Sequence, residues 1–230
     1  ESPKSEEKDT VILHTNDVHG RIVPWSYGAD IEDKSGSYAQ IATYVKDVRK
    51  NNKNVVLVEV GDAIQDNQID VFAKDKKYYK DHPIPKVLNE MNYDIFVLGN
   101  HEFDNPLQIL DMQEKWANFP FLSANVINTK TGKTLVKPYT ILNKQDLKIA
   151  VVGLTTEDTA KLGNPEYLHN VKFEDPTTVA KATLKELNEK VKPDVKIALT
   201  HMGYYYDAKH GSNAPGDVSL ARNLDKGAFD

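Results

Sequence analysis

Residues 95–104 read IFVLGNHEFD, an apolar run followed directly by polar residues, and the fold can be predicted by working outward from them. The first four residues form a short apolar run typical of a buried strand. Gly99, Asn100 and His101 follow at once, where the strand must end. Similar apolar runs alternate with amphipathic stretches along the rest of the chain. This alternation predicts an α/β fold with a mainly parallel sheet.

The elements on either side of this stretch can be predicted from apolar spacing. Strands are expected at 10–14, 54–60, 119–124, 139–142, 147–154 and 195–200. Helices are expected at 37–50, at 84–91, and after the pairs Asn105-Pro106 and Asp175-Pro176, in which a capping residue precedes a first-turn proline. The hairpin-like pattern around 121–150 favours mixed sheets, and long loops are expected at 74–80 and 203–216.

The composition is that of one globular domain. With 230 residues and 40% hydrophobic content, the chain can bury a substantial core. Its net charge of −5 argues against broad binding to a nucleic acid polymer. No apolar run reaches the length of about 18 residues that a membrane span needs. The chain has no cysteine, which excludes disulfides, thiolate ligands and cysteine nucleophiles.

Four polar clusters each follow a predicted strand. Asp17 and His19 follow the first strand, Asp62 the second, Asn100 the third and His201 the last. The carboxyl ends of parallel strands meet at one edge of a sheet, where α/β proteins form their sites. We therefore expect these five side chains to converge. A single Asp-x-His or Gly-Asp pair would carry little weight, but four clusters in this order are a much stronger signal.

The residue types predict a site for two divalent metal ions, with Mn, Zn, Co or Mg as candidates. A carboxylate can bridge two ions held about 3.5–4 Å apart, and Asp62 is the expected bridge, with Gly61 allowing a tight turn beside it. Asn100 offers a neutral oxygen, so two ions and two aspartates leave a charge of about +2 for a phosphate group. The prediction is hydrolysis of phosphate esters by water activated between the ions.

The histidine after Asn100 has a different expected role. His101 is placed to stabilise developing charge or to protonate the leaving alkoxide. Asp104, three residues on, could hydrogen-bond the imidazole and fix its tautomer. Glu102 could support the ligands or point outward. The other histidines are not assigned to the site: His14 is expected to be structural, and the surface is expected to carry His82, His169 and His210.

These clusters resemble the ordered blocks of the calcineurin-like metallophosphoesterases, which are D-x-H, G-D, G-N-H-E and a later histidine. The segments HTNDVHG and GNHEFDNP are similar to the bacterial 5′-nucleotidase branch, and the similarity covers nearly the whole chain from about Val11. From Asn100 onward, segments such as EKWANFPFLSANV look like the UDP-sugar hydrolase/5′-nucleotidase type. SYAQIATYVKDVRKN and VGDAIQDN look more like the related 2′,3′-cyclic-nucleotide phosphodiesterases.

The resemblance implies a four-layer α/β/β/α sandwich with mixed sheets. It implies two metal ions that share Asp62, the first completed by Asp17 and His19 and the second by Asn100 and His201. It also implies a nucleotide as the small-molecule substrate and export to the periplasm or cell surface. We expect a monomer.

The resemblance further implies a catalytic pair, His101 and Asp104, and a particular domain organisation. Residues 1–10 are expected to be a flexible segment, and 11–230 the catalytic domain. Family members carry a further Gly-His-x-His or Gly-His-x-Gln block and a C-terminal nucleotide-binding domain. Neither occurs in these 230 residues, so the expectation is a catalytic domain that is incomplete at its C-terminus.

Three functions are compatible with these patterns. The first is metal-dependent hydrolysis of nucleotides, as a 5′-nucleotidase or UDP-sugar hydrolase. An alternative keeps the metal chemistry but acts on 2′,3′-cyclic nucleotides. Another alternative is a folded, truncated domain without catalytic activity.

Overall fold

The computed structural model describes residues 9–64, 67–206 and 214–230. Most of the segment predicted to be flexible, the middle of the loop predicted at 203–216, and His210 lie outside the described residues. Within them, strands and helices alternate along the chain as predicted.

The strands and helices are as follows. The strands are β1 (Val11–Thr15), β2 (Trp25–Ser26), β3 (Ile31–Glu32), β4 (Val55–Glu59), β5 (Ile95–Val97), β6 (Phe121–Leu122), β7 (Val126–Asn128), β8 (Lys133–Thr134), β9 (Tyr139–Lys144), β10 (Leu147–Thr155), β11 (Val171–Phe173) and β12 (Val195–His201). The α-helices are α1 (Tyr38–Asn51), α2 (Val71–Lys74), α3 (Pro83–Glu90), α4 (Leu107–Trp116), α5 (Thr159–Leu162), α6 (Pro165–Leu168), α7 (Pro176–Glu186) and α8 (Asp217–Asn223). Short 3₁₀ helices cover Asn67–Asp70, Lys76–Asp81 and His101–Phe103, and a π-helical turn, Leu187–Val191, extends α7.

Two main sheets form the centre of the molecule. The first has the order β1-β4-β5-β6, with every neighbouring pair parallel. The second has the order β12-β10-β9, in which β12 is parallel and β9 antiparallel to β10. A smaller antiparallel sheet, β11-β7-β8, and the β2–β3 hairpin lie outside these two. The predicted mixture of parallel and antiparallel pairing is confirmed.

The side chains of β4 show why the two sheets pack face to face. Successive residues of a strand point to opposite faces. Val56 and Val58 of β4 pack in one cluster with Val151 of β10, which belongs to the other sheet. Leu57, between them, packs instead in a cluster with Tyr38 of α1. Both faces of β4 are therefore buried, which explains its unbroken apolar run.

The second sheet is also covered by helices on its outer face. Val152 of β10 packs with Ala180 of α7 and Leu220 of α8, on the side away from the first sheet. The order of layers is helices, sheet, sheet, helices. This confirms the predicted four-layer α/β/β/α sandwich. Full burial of a valine or leucine side chain in these layers contributes about 1.5–3 kcal/mol.

Two local predictions about helices are wrong. Residues 74–80, expected to be a loop, lie mostly in α2 and a 3₁₀ helix. Helix α4 begins at Leu107, and Pro106 is its cap residue with ψ of 137°, so Asn105 does not cap it. The Asp175-Pro176 start of α7 is confirmed, since the Asp175 carboxylate accepts a hydrogen bond from Thr178 N–H.

The prediction that His82 lies on the surface is also wrong. Its side chain is fully buried, and its Nδ1 accepts a hydrogen bond from Ile84 N–H at the start of α3. Its ring packs near Phe72. Burial lowers the pKa of His82 to about 4, although a backbone hydrogen bond at Ile64 opposes this shift. His82 is therefore a neutral core residue. His169 is exposed, as expected.

None of the helices that the structure describes is both long and apolar enough to span a membrane.

Candidate metal centre

Three loops at the carboxyl ends of β1, β4 and β5 build one wall of the site. We call them the first loop (16–20), the second loop (61–64) and the third loop (99–104). Parallel neighbours in one sheet bring the loops side by side. The second sheet contributes His201, the last residue of β12, which faces these loops.

The backbone of these loops adopts conformations that are uncommon for residues with a side chain. Asp17, His19 and Asp62 have φ of 54°, 49° and 59°, all in the left-handed region. Such conformations cost of order 1–3 kcal/mol each and persist only where surrounding contacts hold them. In this fold, three residues predicted to bind metal carry that strain.

Backbone hydrogen bonds supply the contacts that hold the first two loops. Asp17 N–H donates to Gly61 O at 3.0 Å, and His19 N–H donates to Asp62 O at 2.9 Å. Gly20 N–H donates to Ala63 O at 3.1 Å. The pairing of β1 with β4 thus continues past the strands into the site, and it fixes the first loop against the second.

The second and third loops approach so closely that glycine is needed on both sides. Gly61 has φ of 93°, and a Cβ there would lie 2.5 Å from Gly99 N and 2.8 Å from His201 Nδ1. A Cβ on Gly99 would collide with the Asp62 carboxylate and lie 2.8 Å from Glu102 Oε2. The expectation that Gly61 permits a tight turn is confirmed, and Gly99 is its counterpart.

Glu102 points into the protein. Its carboxylate is almost fully buried, with 2% of the residue exposed. Oε2 accepts hydrogen bonds from Gly99 N–H at 2.6 Å and Asp62 N–H at 2.8 Å. Oε1 accepts them from Ala63 N–H at 2.9 Å and Ile64 N–H at 3.4 Å. Of the two orientations that the sequence left open for Glu102, the inward one is correct.

The carboxylate of Asp62 is the centre of the cluster. Its Oδ1 accepts a hydrogen bond from His101 N–H at 2.9 Å. Its Oδ2 lies 3.2 Å from His201 Nε2 and 4.0 Å from His19 Nε2. Burial works to raise the pKa of Asp62, but hydrogen bonding and the charge of His201, with the His101 N–H, lower it overall. Asp62 therefore stays ionised between two imidazoles.

Asp17 completes the group on the solvent side. Its side chain is 47% exposed, and its Oδ1 lies 3.7 Å from His19 Nε2 and 4.0 Å from His201 Nε2. Two sets of ligand atoms lie within 4.8 Å of one another: one from Asp17, Asp62 and His201, the other from His19, Asp62 and His101. Asp62 belongs to both.

The orientation of His201 tests whether a cation fits here. Its Nδ1 lies 2.6 Å from Val60 O. A carbonyl oxygen only accepts, so Nδ1 carries the proton and Nε2 faces the carboxylates. Burial opposes protonation, yet hydrogen bonding to Asp62 and its charge raise the pKa of His201 to about 9. An extra positive charge between these groups is favourable, and a divalent ion would supply it.

His101 and Asp104 form the pair that the spacing suggested. His101 Nδ1 lies 2.6 Å from Asp104 Oδ2. Burial lowers the pKa of His101, but its hydrogen bond to Asp104 and the nearby carboxylate of Asp62 outweigh burial and raise the pKa overall. Since a carboxylate accepts from Nδ1–H, the Nε2 of His101 is left for the site. The His101 ring lies edge-on to His19, with centroids 5.2 Å apart.

Asn100 sits half-buried at the end of β5, next to His101. The structure thus brings Asp17, His19, Asp62, His101 and His201 together, and it places Asn100 next to His101 in the third loop. Which metal ion each residue would bind remains a prediction.

Sequence reasoning missed a buried polar network behind the first loop. Thr15 Oγ1 donates to Glu59 Oε2 at 2.6 Å, and Tyr38 OH donates to the same oxygen at 3.0 Å. Tyr93 OH lies 2.7 Å from Thr15 Oγ1. Burial, with the charges of Glu102 and Asp17, raises the pKa of Glu59 to about 8 against the opposing effect of the two hydroxyls. The signal for this network in the sequence was Glu59, a charged residue inside the otherwise apolar run of β4.

A cavity of about 770 Å³ opens beside the cluster. Asp17 and His19 line it, and the β2–β3 hairpin contributes Trp25 and Tyr27. His14, expected to be structural, is exposed and lines the same cavity. The cavity is large enough for a small-molecule substrate.

The fold and the cluster together define a class: an α/β/β/α sandwich with a candidate metal centre where its strands end. The chain matches the calcineurin-like phosphoesterase family over residues 10–228. It is 47% identical over 219 residues to the 5′-nucleotidase of Vibrio cholerae serotype O1, an alignment covering 95% of this chain and 38% of that protein. It is 45% identical over 222 residues to Protein UshA of Escherichia coli K12, with the same coverages.

The chain therefore belongs to the calcineurin-like phosphoesterase family, as the resemblance predicted. A solved structure agrees: the crystal structure of calcineurin-like phosphoesterase YfkN from Bacillus subtilis superposes with a TM-score of 0.84 at 30% identity, covering 96% of this chain and 70% of that chain. The chain spans 38% of the length of the two curated relatives above.

Proposed function

We propose that residues 11–230 form the catalytic domain of a divalent-metal-dependent phosphohydrolase that acts on nucleotides. One observation carries the proposal: two sets of aspartate and histidine ligand atoms, each within 4.8 Å, share the carboxylate of Asp62. Membership of a phosphoesterase family supports the same chemistry. Two relatives that cover nearly all of this chain are a 5′-nucleotidase and Protein UshA.

The proposed ligands divide into two sets around the shared Asp62. As the family resemblance implies, Asp17 and His19 would hold one ion, and Asn100 and His201 the other. Asp17 also has a ligand atom within 4.8 Å of His201, so it lies between the two pairs. The distances from Asp62 Oδ2 to both His201 and His19 support a bridging role. Bound ions would act as Lewis acids, lowering the pKa of water and drawing charge from the phosphate oxygens.

The chain's own residues supply the rest of the proposed reaction. His101 directs Nε2 toward the site because its Nδ1 is held by Asp104. In its protonated form, His101 donates to the leaving oxygen or stabilises charge that develops on the phosphate. Asp104 fixes the tautomer and keeps the ring in place. No covalent enzyme intermediate is required.

The substrate class is a nucleotide with a terminal or bridging phosphate, so AMP and UDP-glucose are the first substrates to test. The cavity beside Asp17 supports a substrate that extends beyond its phosphate. The second candidate is a 2′,3′-cyclic nucleotide. It is supported by the segments SYAQIATYVKDVRKN and VGDAIQDN, which look like the cyclic phosphodiesterases.

The test is a substrate panel with the full-length protein. Phosphate release is measured from AMP, UDP-glucose and 2′,3′-cyclic AMP, each with Mn²⁺, Co²⁺, Zn²⁺ or Mg²⁺ after chelator treatment. We expect metal-dependent turnover of AMP or UDP-glucose, and faster turnover of the cyclic substrate would favour the second candidate. Failure to hydrolyse any of them with any metal would refute the enzyme proposal and favour an inactive domain.

The family resemblance also leads us to propose export to the periplasm or cell surface and a monomeric state. Fractionation of cells expressing the full-length gene and light scattering of the purified protein test these two points. Cytoplasmic retention of the mature protein would contradict the first, and a stable dimer the second.

A further inference from the structure

Glu102 joins two loops that carry different site residues. Asp62 lies in the second loop, while Asn100 and His101 lie in the third. The Glu102 carboxylate accepts hydrogen bonds from backbone N–H groups on both, through Asp62 and Ala63 on one side and Gly99 on the other. Asp62 links the two loops a second time, because its own Oδ1 accepts a hydrogen bond from His101 N–H.

The donors around Glu102 cannot adapt to a different side chain. They are backbone N–H groups in loops whose course is fixed by the left-handed Asp62 and by the close contact of Gly61 with Gly99. Each oxygen of Glu102 faces two such donors. Only a group that accepts on both oxygens satisfies them all.

We infer that Glu102 is a positioning residue: its carboxylate clamps the second loop to the third and so sets where the Asp62 carboxylate sits relative to His19, His201 and His101. This inference rests on the proposed metal site. It assigns Glu102 no contact with substrate or metal. Glu102 acts through the N–H of Asp62, which belongs to the same residue as the carboxylate shared by both sets of ligand atoms.

Three substitutions can show whether Glu102 acts by accepting hydrogen bonds from both loops or only by filling the space between them. Glu102→Gln keeps the volume but replaces one acceptor by an NH₂ group, which would face two N–H donors in either orientation. Glu102→Asp is smaller but keeps both acceptors. Glu59→Gln is the matched control, because Glu59 is equally buried but is bonded by the hydroxyls of Thr15 and Tyr38, which can rotate to suit an amide.

The measurement is Mn²⁺ affinity by calorimetric titration, with kcat and KM at saturating Mn²⁺, on the full-length protein. We expect Glu102→Gln to weaken Mn²⁺ binding about 10- to 100-fold and to lower kcat more than it changes KM. Glu102→Asp should lie between Gln and wild type, and Glu59→Gln should match wild type. The order reverses if Glu102 only fills space, since Gln would then be tolerated better than Asp, and that result overturns the inference.

Metal binding needs no substrate, so failure of the proposed function and failure of the clamp can be told apart. A wild-type protein that binds Mn²⁺ without hydrolysing nucleotides refutes the function, while the order of the variants still tests the clamp. A wild-type protein that binds no Mn²⁺ refutes both.

A second measurement covers the case in which the variants fail to fold. Amide hydrogen exchange of the wild-type protein should show Gly99, Asp62 and Ala63 N–H groups exchanging as slowly as the core of β4, because all three donate to a buried carboxylate. Exchange of these amides as fast as that of exposed loop amides contradicts the clamp.

Discussion

The two sheets contribute to the candidate metal centre in different ways. The first sheet delivers three loops that are tied together by backbone hydrogen bonds and by the buried carboxylate of Glu102. The second sheet delivers one side chain, His201, whose Nδ1 donates across the gap to Val60 O of the first. One side of the site is therefore assembled within a sheet, and the other depends on how two sheets pack.

The site is therefore more rigid on the side of the first sheet than on the side of the second. The loops of the first sheet hold Asp17, His19 and Asp62 in strained conformations that only neighbouring contacts maintain. His201 relies on the packing of β10 and β12 against β4, in which Val151 and Leu199 take part. We expect perturbations of the first sheet's edge to disable the whole site, and perturbations of His201 to disable part of it.

The largest expected effect is that of Asp62→Ala, which removes the group shared by both sets of ligands. Both Mn²⁺ ions should be lost and hydrolysis should fall below detection, as measured by metal analysis and phosphate release. Asp47→Ala, on the exposed side of α1, is the control and should behave as wild type. Retention of one tightly bound ion by Asp62→Ala would show that Asp62 does not bridge.

His201→Ala tests the contribution of the second sheet separately. It should cost one ion while the ion near Asp17 and His19 remains, so metal analysis should report about one ion per chain. His169→Ala, at an exposed histidine, should retain both ions. If His201→Ala loses both ions, the two sides of the site are more strongly coupled than the contrast between the sheets implies.

His101→Ala should leave metal content unchanged and lower turnover by about 10²- to 10⁴-fold, the usual contribution of a general acid. Asp104→Asn should have a smaller effect in the same direction, because it weakens only the hydrogen bond to His101 Nδ1. Kinetics at saturating Mn²⁺ with parallel metal analysis measure both variants. Loss of metal from His101→Ala would mean that this ring is a ligand, as its place in one of the two clusters permits.

The sequence predicted the parts of this site that local pattern determines. Apolar runs ending in Asp17, Asp62, Asn100 or His201 located the strand ends, and parallel strands must bring such ends together. The role of Glu102 could not be read in this way, because three of its donors lie 38–40 residues away in the chain.

Two wrong predictions about other parts of the chain also arose because tertiary contacts cannot be read from local sequence. His82 looked like a surface histidine because its neighbours in sequence are polar or proline, whereas its burial comes from packing near Phe72 and α3. The helices between residues 71 and 81 were missed because tertiary contacts, not apolar periodicity, support such short elements.

The smallest expected effect concerns Glu59, which stabilises the first sheet behind the site without touching a proposed ligand side chain. Its pKa is raised from 4.5 to about 8 in the folded protein. The folded state therefore holds this proton more tightly than the unfolded state does, and stability should fall as pH rises from about 4.5 to 8. Glu59→Gln should reduce this fall, measured by urea unfolding of metal-free protein across that range.

The exposed Glu90→Gln serves as the control for this measurement and should leave the pH dependence unchanged. A Glu59→Gln variant whose stability declines with pH as steeply as that of the wild type would show that Glu59 does not hold a proton in the fold.

Counting the Mn²⁺ ions bound to the full-length protein shows whether two metal ions share Asp62. Calorimetric titration of chelator-treated protein should give two ions per chain, and the electron paramagnetic resonance spectrum of the loaded protein should show two exchange-coupled Mn²⁺ ions. Both signals should vanish in Asp62→Ala. A saturated stoichiometry of one ion per chain, or an uncoupled spectrum with two ions bound, would show that no pair of ions shares Asp62.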